Sequence, residues 1–144
     1  MVIPMTKFQN YLLRLREEFL RNPEDEDTPE LSNESEIAVI QREFTSLPTE
    51  YYDFLRIVGW GYLDSFQMHS GPSVASKFFE NSSAGLEQIV VFGDDFQSYH
   101  LGFDQASGNR VVEISPDLDE IAVVADDFPS FVFKVLKRKL PKEP

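Results

Sequence analysis

Residues 88–124 read QIVVFGDDFQSYHLGFDQASGNRVVEISPDLDEIAVV, and this stretch decides the fold. Short β-branched and aromatic runs alternate in it with turn chemistry. Gln88 to Phe92 predicts a strand, and Gly93-Asp94-Asp95 predicts the turn that ends it. Phe96 to Phe103 alternates, with Gln97, Tyr99, Leu101 and Phe103 on one side and Phe96, Ser98, His100 and Gly102 on the other. Gln105 to Asn109 reads as a hairpin loop, and Arg110 to Ile114 as the returning strand. Ser115-Pro116-Asp117-Leu118-Asp119 is a further turn before a strand at Glu120 to Val124. No helical period interrupts this run. Strands that follow one another through short turns pair as an antiparallel meander.

Working outward, the flanks carry the helices. Asp126 or Asp127 caps a closing helix with Phe128, Phe131, Val132 and Val135 inward. Upstream, Leu47-Pro48-Thr49-Glu50 opens a helix with Pro48 in its first turn, and Tyr51, Phe54, Leu55 and Val58 form its buried stripe. That spacing puts Tyr52 and Asp53 outward. Gly59 suits the left-handed position after a helix. Asn33 and Glu36 form a capping-box pair ahead of Ile37, Ile40 and Phe44. Phe8, Leu12, Leu15 and Phe19 line one face of an N-terminal helix, placed at residues 5–21. Residues 22–34 read as a mobile acidic loop. Leu63, Phe66 and Met68 sit in a short extended segment, and residues 70–85 give no assignable pattern. Helices, then a meander, then a helix make an α+β domain spanning 1–144, with its core at about 35–136.

The totals exclude several functions. With no cysteine among 144 residues there is no disulfide, no thiol catalysis and no cysteine-ligated metal. No apolar run reaches membrane-spanning length, and the first residues lack the order of a signal peptide, so a cytoplasmic protein is expected. The formal net charge is −12, from 25 acidic and 13 basic side chains. Such a field repels phosphate backbones and speeds encounter with a basic partner. Its placement is uneven. Glu24, Asp25, Glu26, Asp27, Glu30, Glu34 and Glu36 face no base between residues 22 and 36.

Chemistry finds little support. No phosphate loop, dinucleotide fingerprint or nucleophile elbow is present. His69 and His100 fall on different segments with no ligand spacing around either, and read as strand histidines with hydrogen-bond partners. Asp94, Asp95 and Asp104 read as turn and strand-end carboxylates, and Asp117, Asp119 and Glu120 lack the glycine and terminal glutamate of a calcium loop. No catalytic residue, cofactor or metal site is assigned. A small-molecule pocket between helices and sheet would lack a catalytic set.

Three features carry a family resemblance. They are Leu47-Pro48-Thr49-Glu50-Tyr51-Tyr52-Asp53-Phe54-Leu55 with Gly59-Trp60-Gly61; Val91-Phe92-Gly93-Asp94-Asp95 with Tyr99-His100-Leu101-Gly102-Phe103-Asp104; and Ile121-Ala122-Val123-Val124-Ala125-Asp126-Asp127-Phe128 leading to Phe131. In order and spacing they resemble the SUKH superfamily, the Smi/Knr type of cell-wall-assembly regulators and bacterial immunity proteins. The likeness covers residues 35–136. It departs at Gly59-Trp60-Gly61, where the family often has an asparagine–glycine pair.

The resemblance implies a binding module without catalysis: an immunity protein, or antitoxin, that neutralises a cognate polymorphic toxin, often a nuclease. The second implied role is a regulatory adaptor. A nuclease must offer positive charge to phosphate, and an acidic domain can cover it. The expected binding residues are Asp94, Asp95, Asp117, Asp119 and Glu120 on the meander, with outward Tyr52 and the loop Glu24 to Asp27. Trp60 stays open between a core position and a binding hot spot.

Overall fold

The computed structural model describes residues 5–21, 28–79, 86–117 and 120–140. Three helices lead: α1 (Lys7–Leu20), α2 (Glu34–Glu43) and α3 (Thr49–Ile57). Six strands follow: β1 (Gly61–Leu63), β2 (Phe66–Val74), β3 (Ile89–Asp94), β4 (His100–Asp104), β5 (Arg110–Ile114) and β6 (Ile121–Ala125). The last helix is α4 (Phe128–Leu136). The strands form one sheet in chain order, each antiparallel to the next. The chain is thus α+β, with a meander between helices and a closing helix packed on the sheet.

Three of the four helices, α1, α2 and α4, start where a side chain satisfies free backbone donors, and α3 starts after Pro48 with no side-chain cap. Asn33 accepts from the Glu36 amide at 2.8 Å and the Glu36 carboxylate accepts from the Asn33 amide at 3.0 Å. Thr6 and Gln9 make the same reciprocal pair for α1, a capping box that the reading of the sequence had not picked out. Asp127, one of the two proposed caps, accepts from Ser130 at 2.8 Å and opens α4. Asp127→Ala is expected to cost about 1 kcal/mol, read as a lower urea midpoint at unchanged slope.

One face of the sheet sends Phe66, Met68, Val90, Phe92, Leu101, Phe103 and Val111 into the main core. The helices meet it with Phe8, Tyr11, Leu12, Leu15, Ile37, Phe54, Phe128 and Phe131. α1 is therefore part of the core. The opposite face sends Ile89, Val91, Val112 and Ile114 into a smaller cluster with Ala75 and Leu86, which Phe79 flanks.

Four local expectations need correction. Gly93 and Asp94 end β3 instead of forming a turn; β3 is bulged at Val91/Gly93, and a Cβ on Gly93 would overlap the Gln67 carbonyl. The next strand starts only at His100, because Phe96 (φ 70) and Ser98 (φ 71) leave extended geometry. β2 continues through Ser70-Gly71-Pro72-Ser73, taken up by a register shift between Met68 and Ser73. Finally, the described end of the acidic loop is pinned. Arg16 donates to the Pro29 and Val58 carbonyls at 2.8 and 3.0 Å, and the Ser32 amide donates to Leu55 at 3.0 Å. Glu24 to Asp27 and residues 80–85 lie outside the described residues.

Candidate functional site

Cα pairing places Tyr62 beside Gln67, Gln67 beside Asp94, Asp94 beside His100, His100 beside Ile114, and Ile114 beside Ile121. Paired residues share a face. One rung therefore crosses all six strands on the face turned away from the helices. Its two ends are exposed and apolar, and its centre is polar.

At the β1 end, the Tyr62 and Phe96 rings stack, 5.3 Å between centroids and 25° between planes. Both stand about half in solvent, 53% and 48% exposed. Tyr62, Gln67, Asp94, Phe96, Ser98 and His100 line an open depression of about 370 Å³. Asp94 organises it. One carboxylate oxygen accepts from the Phe96 amide at 3.0 Å, and the other lies 2.8 Å from His69 Nε2. Asp95 ties the next turn, accepting from the Gln97 and Tyr99 amides at 2.8 and 3.2 Å. Exposed Phe78 roofs the centre, 4.6 Å from His100 and 6.2 Å from His69. At the far end Ile121 and Val123 are exposed on β6.

The two histidines thus meet on one face, which their distance in sequence concealed. His69 has the hydrogen-bond partner expected of it. Burial pushes the His100 pKa below its ordinary value; Asp94 and Asp95 pull it back up, and His69 adds to the lowering. With a lowered pKa, the folded state binds fewer protons than the unfolded chain. The His100 contribution is fully present above the unfolded value of about 6.5 and is lost as pH falls through the folded value. His100→Gln is expected to flatten the fall in urea midpoint between neutral and mildly acidic pH; an unchanged slope would refute this.

The expected binding residues separate into groups. Asp94 lines the depression. Asp95 faces the sheet margin near Glu113, whose carboxyl is pushed up by burial first and then by the carboxylates of Asp95 and Glu120, against the lowering effect of Lys134. Glu120 is exposed beside Ile121, and Asp117 is exposed in the preceding turn. Asp119 lies outside the described residues. Tyr52 is corrected: it is 5% exposed, its ring 5.5 Å from Tyr51. α3 contacts α1, α2 and α4 as well as supplying the sheet side of the core, so its buried arc is wider than one helical stripe. Trp60 is half-buried against the core, and its backbone exchanges two 2.9 Å hydrogen bonds with Glu30. Tyr62, Phe96 and Phe78 are the residues that the sequence reading missed.

Among the described residues, no group of three or more histidines and carboxylates is placed to hold a metal ion. None of their helices is long and apolar enough to cross a membrane. No protein-family model, curated protein or solved structure matches the chain.

Proposed function

We propose that this chain is a non-catalytic protein-binding module that neutralises a basic toxin domain, and that it binds through the face of the sheet turned away from the helices. One observation carries the choice of face. Stacked Tyr62 and Phe96 stand in solvent beside Asp94, with Phe78 next to them and Ile121 and Val123 at the other end of the same surface. Large exposed aromatics rimmed by polar groups are the composition of an interaction surface. The charge of −12 supports a cationic partner. The resemblance to SUKH immunity proteins supplies the class, and a nuclease supplies the positive surface.

The test is co-expression with the product of the neighbouring gene. Growth arrest by that product, relieved by this chain, supports neutralisation. Arrest that is equal with and without the chain refutes it. A stable complex with a regulatory or wall-synthesis protein, and no toxicity to relieve, would assign the adaptor role instead.

A further inference from the structure

We propose that the depression between Tyr62, Phe96 and Asp94 is a subsite for an arginine side chain of the partner; this rests on the protein-binding reading above. It is lined by the stacked, half-exposed Tyr62–Phe96 pair together with the polar side chains of Asp94, Gln67, Ser98 and His100. Among the described residues, no lysine or arginine lines it.

The chain holds this arrangement against its own preferences. Phe96 sits at φ 70, a region costly for a bulky side chain, and it exposes its ring there. The Asp94 carboxylate accepts the Phe96 amide hydrogen bond that fixes this backbone, so one carboxylate both positions the Phe96 ring and lines the depression. Ser98 is also at positive φ, and Asp95 accepts from the amide on either side of it. An aromatic pair left half in water contributes less to folding stability than the same rings would in the core.

The chemistry selects the guest. An anion meets a carboxylate and a field of −12. A purely apolar group would cover Asp94 and add no donor to the acceptor capacity that remains beyond the Phe96 amide and His69. A lysine ammonium can pair with Asp94, but it is compact and strongly hydrated. A guanidinium is planar, lies flat on an aromatic ring and still directs several N–H groups to the acceptors around it. An ammonium can also meet a ring or the carboxylate, but the planar guanidinium engages both at once with least loss of hydration.

The probes are an arginine homopeptide and a lysine homopeptide of equal length, each dye-labelled and titrated by fluorescence anisotropy at moderate salt. Wild-type protein is expected to hold the arginine peptide about tenfold tighter than the lysine peptide. Tyr62→Ala/Phe96→Ala leaves the net charge unchanged and is expected to reduce arginine binding to the lysine level. Phe96→Gly is the second variant, since glycine accepts the positive φ; it is expected to lose most of the preference with no loss of melting temperature. Equal affinity of wild-type protein for the two peptides would overturn the proposal. So would a preference that survives in a folded variant. Either result leaves relief of growth arrest unaffected, so failure of the subsite is distinguishable from failure of the binding role.

Discussion

Phe128→Ala is expected to destabilise the protein by about 4 kcal/mol, the largest effect of any truncation in the closing helix. The Phe128 ring lies within 5.6–6.3 Å of Phe8, Tyr51, Phe54, Phe92, Phe103 and Phe131. Those partners come from α1, α3, β3, β4 and α4, so this one ring joins three helices to the centre of the sheet. It is 1% exposed. Truncation loses its transfer free energy and leaves a cavity whose walls belong to five elements that cannot all move inward together. A domain of this kind is stable by about 5–15 kcal/mol, so the loss takes a large share of the total. Urea unfolding measures it. A cost below about 1 kcal/mol would mean that α4 does not pack as described.

Gly59→Ala is expected to cost about 3 kcal/mol or more, although it only adds a methyl group. Gly59 has φ +107, outside the ordinary range of an L residue, and a Cβ there would overlap the Glu30 carbonyl oxygen. That oxygen accepts the Trp60 amide, and the Glu30 amide donates back to Trp60, both at 2.9 Å. The new methyl group therefore pushes apart the bridge that holds the segment after the acidic loop to the start of the sheet. Trp60 is the sole tryptophan, so its emission reports the change directly. A variant with the wild-type urea midpoint and the wild-type emission maximum would contradict the assignment.

Much of the fold was legible because it rests on local rules. Short β-branched and aromatic runs between turn residues gave β3, β5 and β6 within a few residues, alternation gave β4 with its start four residues early, and Asn33, Asp127 and Gly59 announced helix ends by chemistry that acts over one turn. Two kinds of feature were hidden. Bulges were one: Gly93 looks like a turn residue, and Ser70-Gly71-Pro72-Ser73 shows no assignable pattern, until cross-strand register places both within strands. Wide helix burial was the other, since one periodic stripe cannot show that α3 is covered on more sides, and this moved Tyr52 inward. The candidate site was less legible. Asp94 was singled out for its charge, but its neighbours Tyr62, Phe96, His69 and His100 converge only through the register of four strands. The positive φ that turns Phe96 into solvent leaves no mark in hydrophobic alternation.

The most direct test of the binding role is one affinity capture. Wild-type protein and the Tyr62→Ala/Phe96→Ala variant are immobilised side by side and exposed to the co-expressed product of the neighbouring gene at low and moderate salt. The expected result is that wild-type protein retains a basic protein, that salt weakens the retention, and that the folded variant loses it. Equal retention by the two proteins would move the interface off this face, and no retention by wild-type protein at either salt would contradict the proposed function.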